Sequence, residues 1–219
     1  MTPADQTSLL ALELRTERLE LRLPRNHELP ALTRVAIAGI HPPDFMPFAV
    51  AWTDRAAEPT FVDEFIEYHL GHRATWSPED WSLELGVWAN GTLVGVQGMR
   101  ATSFPRDRRV TTGSWLGAAH QGKGIGTEMR SAALALAFEG LDASTAISGA
   151  LDGNTVSARV SEKLGYTVAG SQTVTPRGVP VTERCFELTR ELWHEHARID
   201  VSISGLEACR GLFGAGEGS

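Results

Sequence analysis

Three glycines alternate with a lysine and an isoleucine in the sequence QGKGIG, residues 121–126. Glycines before a helix let a ligand approach the backbone closely, and the first turn of a helix presents unpaired N–H groups and a positive dipole end. This stretch therefore predicts a phosphate-binding loop, to which Lys123 would add charge. A tight strand-to-helix turn without a ligand is the alternative that glycines alone leave open.

The spacing of the glycines excludes the two commonest nucleotide-binding loops. The P-loop needs GxxxxGK followed by Ser or Thr, but here the lysine lies inside the loop. The dinucleotide fingerprint is GxGxxG, whereas Gly122, Gly124 and Gly126 are spaced GxGxG. Any phosphate bound here belongs to a different class of ligand.

Alternating apolar residues predict the strands that lead into this loop. The pattern occurs in ERLELRLP and in two runs, WSLELGVWA and TLVGVQGMRA, which are joined by Asn90 and Gly91 as a hairpin. A further strand, from about Val110 to Gly117, precedes the loop, and an amphipathic helix of about 14 residues follows it.

The final third of the sequence alternates between strand and helix patterns. STAISGAL is typical of a strand, NTVSARVSEKLG of a helix that Gly165 ends, and YTVAGSQTVT and VTERCFELTREL of two further strands. Strand–helix–strand order predicts an α/β (α+β) fold, with a mixed sheet covered by helices.

Two motifs at this separation resemble those of one enzyme superfamily. Residues 121–126 match (Gln/Arg)-x-x-Gly-x-(Gly/Ala), and NTVSARVSEKLGY is similar to the second cofactor-contacting helix of the same proteins, the GNAT superfamily of acyl-CoA-dependent N-acyltransferases. The resemblance covers about residues 16–193. TERLELRLP and SWLG make the chain most similar to the RimJ/RimL-like (ribosomal-protein N-terminal) acetyltransferases. It implies a mostly antiparallel sheet of six to seven strands, with a splayed strand pair at the cofactor site.

The resemblance also implies how acetyl-CoA would bind. The loop would take the pyrophosphate, and the end of the strand before it would pair with the pantetheine arm as an extra strand. The residues implied in cofactor binding are Trp115, Leu116, Gly117, Gln121, Gly122, Lys123, Gly124, Ile125, Gly126, Thr127, Asn154 and Ser157.

Two hydroxyl groups within the second motif are the candidate proton donors. The resemblance implies that Ser157 protonates the departing thiolate, although Asn154 and Ser157 also suit the cap and first turn of a helix. Tyr166 is a second candidate for the same role, with packing as its alternative.

The general base is harder to assign. Many relatives place a glutamate a few residues before the strand's tryptophan, but this chain has VTTGS there, with no carboxylate. Glu84 is the candidate base that we select, and its alternative is the solvent-facing side of an alternating strand. His120 and Asp152 remain open as further candidates.

Composition restricts the remaining function classes. The 219 residues carry a formal net charge of -7, which argues against a general nucleic-acid binder. Two cysteines far apart suggest neither a disulfide framework nor a metal site. No segment approaches the length of a membrane span, and the start of the chain lacks a signal-peptide pattern, so we expect a cytoplasmic protein without membrane contact.

These observations together predict an acetyl-CoA-dependent N-acetyltransferase in residues 16–193. The acceptor would be a primary amine, on a small molecule or a peptide N-terminus, attacking directly in a ternary complex. A non-catalytic acyl-CoA sensor is the alternative, because the strand carboxylate is missing. Residues 194–219 are expected to form an extension with one short helix and a flexible tail. A homodimer is compatible with the resemblance but has no support in a sequence feature.

Overall fold

The computed structural model describes residues 2–196 and 199–216. Within them the strands are β1 (Glu13–Arg15), β2 (Leu19–Arg22), β3 (Asp80–Ala89), β4 (Thr92–Thr102), β5 (Arg109–Leu116), β6 (Thr145–Leu151), β7 (Thr167–Val174), β8 (Val181–Thr189) and β9 (Ser202–Ser204). The helices are α1 (Pro3–Leu10), α2 (Leu29–Ile37), α3 (Phe61–Ala74), α4 (Phe104–Asp107), α5 (Ile125–Ala135), α6 (Thr155–Lys163) and α7 (Arg190–Glu195). None of the helices in these ranges combines the length and apolar content needed to cross a bilayer.

All of these strands form one sheet in the order β7-β8-β6-β5-β4-β3-β2-β1-β9. Neighbouring strands are antiparallel except β5 and β6, which are parallel. The predicted mixed, mostly antiparallel sheet is therefore confirmed, with nine described strands rather than six to seven. The two short strands at one edge, β1 and β9, account for the difference, since three residues are too few to show an alternating pattern.

Helices cover both faces of the sheet and enclose two apolar clusters. Helix α5 contributes the side chains of Met129, Ala132 and Ala135 to the larger cluster. On the opposite face, α2 and α3 contribute Leu32 and Phe65 to the smaller one. The loop and its helix α5 thus lie on one face of the sheet, and α2 and α3 lie on the other.

The C-terminal segment packs against the core. Phe213 is fully buried, with its ring 5.1 Å from that of Trp76 and 5.0 Å from that of Trp81. The predicted short helix is one turn of 3-10 helix at Arg210–Phe213. Residues 211–216 are therefore not the flexible tail that their glycine content predicts, while the tail beyond them lies outside the described residues.

Candidate active site

The parallel strands β5 and β6 separate part-way along their length. Their pairing runs from Arg109 opposite Thr145 to Thr112 opposite Ser148 and stops there. Both strands continue, because the rest of β5 stays paired with β4 and the rest of β6 with β8. The predicted splayed pair is therefore present, and it opens towards the glycine loop.

Backbone groups of β5 face this opening. The N–H of Gly117 donates to Val94 O on β4 at 2.9 Å. Because backbone groups alternate in direction along an antiparallel strand, the N–H groups of Leu116 and Ser114 point the other way, towards β6. Both residues lie beyond Thr112, the last residue of β5 that pairs with β6. Their N–H groups therefore form a row of hydrogen-bond donors along the opening.

The glycine loop leads directly into α5. Gly124 is the residue before the helix and has φ +80°, and Gly122 has φ +72°, so both adopt the left-handed conformation that favours glycine. A Cβ at Gly122 would meet nothing within 4 Å, and one at Gly126 would meet only Leu116 Cδ1 at 3.9 Å. The first turn of α5 is thus accessible to a ligand as large as a phosphate. This fits the acetyl-CoA pyrophosphate that the resemblance implies.

Side chains of the loop are fixed by backbone carbonyls. Gln121 Nε2 donates to Ile40 O at 2.7 Å and to Leu116 O at 2.9 Å, and Lys123 Nζ donates to Ala119 O at 2.7 Å. Ile125 is buried in the larger apolar cluster, whereas Thr127 is partly exposed in the first turn. Gln121 and Ile125 therefore shape the loop, and its backbone and Thr127 face outward.

Arg18 lies against the same loop, although no pattern in the sequence singles it out. Its Nη1 donates to Lys123 O at 3.2 Å, and its Nε donates to Glu128 Oε2 at 2.7 Å. Glu128 is buried in the first turn of α5. The pair ties the turn between β1 and β2 to the loop and adds a half-exposed cation beside Gly124.

Helix α6 begins on the other side of the opening. Asn154 is its N-cap, and its Oδ1 accepts from the N–H of Ser157 at 3.1 Å, which confirms the predicted cap. Ser157 is partly buried in the first turn. Gly165 ends the helix region with φ +89°, as predicted for a left-handed position.

Tyr166 lies where β5 and β6 separate. Its hydroxyl is 3.3 Å from the Thr112 hydroxyl, on the last residue of β5 that pairs with β6. The ring is buried, and burial raises the pKa of Tyr166. A hydroxyl is thus held at the vertex of the opening.

Aromatic side chains close the other face beside the opening. The Trp115 ring is 5.8 Å from Trp52 and 6.2 Å from Phe65, so it packs under the long loop before α3 rather than towards α5. A Cβ at Gly117 would lie 2.9 Å from Val35 Cγ1, so Gly117 allows the strand end to pass close to α2. Trp115 therefore contributes backbone, and not its ring, to the opening.

A row of glycines crosses the sheet on this face. Glu84 of β3 lies opposite Gly98 of β4, which lies opposite Gly113 of β5. A Cβ at Gly98 would lie 3.0 Å from Glu84 Oε2 and 3.3 Å from Gly113 O, whereas one at Gly113 would meet nothing within 4 Å. The Glu84 carboxylate thus extends over Gly98 towards Gly113 of β5.

Burial raises the pKa of the Glu84 carboxyl to about 7. Hydrogen bonds from Ser82, whose Oγ is 3.0 Å from Oε1, and from Tyr68, together with the charge of Arg100, oppose this rise. A carboxylate that titrates near neutral pH can accept a proton efficiently. Asp152, by contrast, is exposed at the turn before α6, and His120 lies in the turn before the glycine loop.

A second carboxylate lies across the opening. Gly149 is the first residue of β6 after the paired segment, and the Glu183 carboxylate of β8 lies directly over it. Gln172 Nε2 donates to Glu183 Oε2 at 2.6 Å. The two carboxylates lie over β4 and β6 on the same face of the sheet, above a glycine floor formed by Gly98, Gly113 and Gly149, and because β5 and β6 diverge here about 10 Å or more separates them.

Comparisons with known proteins agree with this geometry. The sequence profile of the acetyltransferase (GNAT) domain family matches residues 18–167. The structure is similar to RimJ of Mycobacterium smegmatis in complex with a CoA-disulfide, with a TM-score of 0.67 and 18% identity over 92% of this chain and 94% of that chain.

Two further solved structures share the fold. RimL, an alpha-N-protein acetyltransferase in complex with coenzyme A, has a TM-score of 0.63 and 15% identity over 80% of this chain and 95% of that chain. A GNAT-family acetyltransferase from Bacillus anthracis has a TM-score of 0.62 and 16% identity over 82% of this chain and 99% of that chain. At these identities the likeness concerns the fold.

Proposed function

Because this chain belongs to the GNAT acetyltransferase family, we propose that it transfers an acetyl group from acetyl-CoA to a primary amine by direct attack in a ternary complex. The observation that carries this proposal is the opening between β5 and β6, which leads to a helix whose N-terminus is preceded by positive-φ glycines. Such an opening admits an extended chain beside β5, and the helix end admits its phosphates.

Acetyl-CoA supplies an activated thioester when bound. The first turn of α5, from Gly124 to Thr127, would hold the pyrophosphate, and Arg18 and Lys123 would add positive charge nearby. The row of N–H groups along β5 would pair with the pantetheine arm. Asn154 and Ser157 would border the arm from α6.

Glu84 is the proposed base. Amines are mostly protonated at neutral pH, so one proton must leave before attack. The Glu84 carboxylate would take that proton above the glycine floor, where Gly98 and Gly113 leave room for the acceptor. It would thereby replace the carboxylate missing from β5.

The remaining groups serve the acyl carbon and the sulfur. The N–H of Leu116 or Ser114 would donate to the oxygen that becomes negative in the transition state. The hydroxyl of Ser157 or Tyr166 would give a proton to the departing sulfur. Glu84 and these hydroxyls lie on opposite sides of the opening. One side can therefore remove a proton from the amine while the other gives a proton to the sulfur of coenzyme A.

The sensor alternative makes a different prediction from the enzyme. Both bind coenzyme A and gain melting temperature in its presence. The enzyme should release free thiol from acetyl-CoA when presented with a panel of peptide N-termini, polyamines, amino acids and aminoglycoside-type amines. Binding without turnover on any of these amines would favour the sensor, and no binding would reject both.

Ser157→Ala is expected to lower kcat about ten- to a hundredfold, with a smaller change in the affinity for coenzyme A. The cap should survive, since Asn154 Oδ1 accepts from the Ser157 backbone. Steady-state kinetics and calorimetry of cofactor binding measure the two effects. Tyr166→Phe is the matched variant, and the larger loss of kcat identifies the proton donor. Equal losses of kcat and affinity would reduce Ser157 to a contact residue.

Glu183→Gln tests whether the acceptor carries a second cation. If the reacting amine lies by Glu84, a second ammonium about 10 Å away would face Glu183. The KM for a diamine of that length should rise about tenfold, while the KM for the corresponding monoamine stays unchanged. Glu187→Gln is the control, because Glu187 lies four residues further along β8 and pairs with Arg109 at 3.6 Å. Equal KM changes for both acceptors would exclude the contact.

A further inference from the structure

A buried arginine lies beneath the point where β5 and β6 separate. Arg130 of α5 is only 4% exposed. Its Nη1 donates to Ser148 Oγ at 3.1 Å and to Ser161 Oγ at 3.0 Å, and its Nη2 donates to Ser114 Oγ at 3.2 Å. The guanidinium therefore connects β5, β6 and α6 through hydroxyl groups.

The charge of Arg130 is not compensated within the described part of the chain. No carboxylate there forms an ion pair with it, and its Nε is buried without a hydrogen-bond partner. Burial lowers the pKa of Arg130, and the ionisable group that opposes this effect is the Tyr166 hydroxyl. Buried charges are normally paired, so an unpaired one indicates an anion that arrives with a ligand or forms during a reaction.

The position of the guanidinium matches the vertex of the opening. Ser148 is the partner of Thr112 in the last pair of the two strands, and Ser114 is the next residue of β5 on the same face. Tyr166 reaches Thr112 from the side of α6. The cation and the candidate proton donor thus approach the vertex together.

We propose that Arg130 stabilises the thiolate of coenzyme A as it leaves the acetyl group. The inference rests on the proposed function and adds a residue to it. In the transfer, the amine nitrogen forms a bond to the carbonyl carbon, the C–S bond breaks, and its electron pair goes to sulfur. The amine proton goes to Glu84, and the sulfur leaves as a thiolate, so the Ser157 or Tyr166 hydroxyl need donate only a hydrogen bond to it, and solvent supplies the proton when coenzyme A dissociates. Arg130 stays protonated and contributes only its field.

Other charged groups near the vertex set the size of this effect. Glu84 and Glu183 lie on the opposite face of the sheet and disfavour a thiolate. Arg184 and Glu162, between β8 and α6, pair at 3.8 Å, and Arg18 pairs with Glu128 at the start of α5. Arg130 is therefore the unpaired cation identified at this vertex.

Proton release during coenzyme A binding tests the proposal without turnover. Titration calorimetry at about pH 7.5, in buffers of different ionisation enthalpy, counts the protons that leave. The pKa of a free thiol is about 8.5, and the pKa of the bound thiol should be lower by about one unit or more. The wild-type protein should thus release protons with coenzyme A and none with desulfo-coenzyme A.

Variants separate charge from architecture. Arg130→Lys should retain the proton release, whereas Arg130→Gln should abolish it and lower kcat about tenfold. A purely structural arginine would change the melting temperature of Arg130→Gln but not the thiol titration. If that variant does not fold, the wild-type comparison decides alone. Tight binding of coenzyme A without proton release overturns this inference only, and absence of binding overturns the proposed function as well.

Discussion

Gly124→Val is expected to raise the KM for acetyl-CoA about a hundredfold. Gly124 has φ +80°, a conformation that a β-branched residue adopts only at a cost of about 1–2 kcal/mol or more. A Cβ there would also lie 3.4 Å from Arg18 Nη2. The loop must therefore turn its backbone N–H groups away from the helix axis, and the phosphates lose the donors that hold them.

Gly91→Val is the matched control for this loss. Gly91 has φ +75° in the hairpin between β3 and β4, and a Cβ there would meet nothing within 4 Å. The substitution therefore carries the same backbone cost outside the loop. This variant should lose a similar amount of melting temperature and keep its KM. An unchanged KM in Gly124→Val, with the fold intact by circular dichroism, would contradict the assignment of the loop.

Local patterns in the sequence predict the parts of the site that depend on local conformation. The glycines at 122 and 124, the cap at Asn154 and the helix end at Gly165 need particular backbone angles, and only a few residue types supply them. Strands from β3 to β8 are long enough to show their alternation. The cofactor side of the site could therefore be predicted before any coordinates.

The acceptor side depends on register, which no local pattern carries. Glu84 reads as the solvent-facing residue of an alternating strand until Gly98 and Gly113 are placed opposite it. Glu183 matters only because Gly149 lies beneath its carboxylate, and Arg130 only because three serines from separate elements surround it. Contacts between residues far apart in sequence determine these roles.

Both Arg130 and Glu84 lie in surroundings that disfavour their charged forms. Burial lowers the pKa of Arg130 and raises that of Glu84. Burying these two groups in their charged forms reduces the stability of the fold. The proposed reaction uses those charged forms, so the same burial favours activity. Their replacement by neutral residues of similar shape should therefore separate folding from activity.

Glu84→Gln is expected to reduce kcat/KM for the amine about a hundredfold or more. The wild-type rate should fall below about pH 7, because only the deprotonated carboxylate accepts a proton and its pKa is about 7. The variant should lack this acid limb. An acceptor whose amine titrates well above the measured range stays protonated throughout, so its own titration does not enter the profile and Glu84 always has a proton to remove. Glu67→Gln, at an exposed position of α3, is the control and should leave the limb unchanged.

The same substitution should stabilise the fold at high pH. A carboxyl whose pKa is raised on folding contributes stability that is complete below its unfolded value and is lost as the pH rises through the folded value, here about 7. The free energy of unfolding of Glu84→Gln should therefore exceed that of the wild type at about pH 8, by on the order of 3 kcal/mol, and equal it near pH 4. If the variant and the wild type have the same melting temperature at pH 8 as well as at pH 4, Glu84 is solvated and unsuited to be the base.

Restoring a carboxylate on β5 completes the test. A side chain at Gly113 would meet no atom within 4 Å of its Cβ, so Gly113→Glu can be combined with Glu84→Gln without a clash. The double variant should recover part of the rate and an acid limb, because the new carboxylate would lie at the edge of the opening, next to the position that Glu84 covers at Gly98. Gly113→Gln in the same background supplies the same volume without the charge. Recovery with glutamate but not with glutamine would identify the base by its chemistry, and no recovery together with an unchanged limb in Glu84→Gln would remove Glu84 from the mechanism.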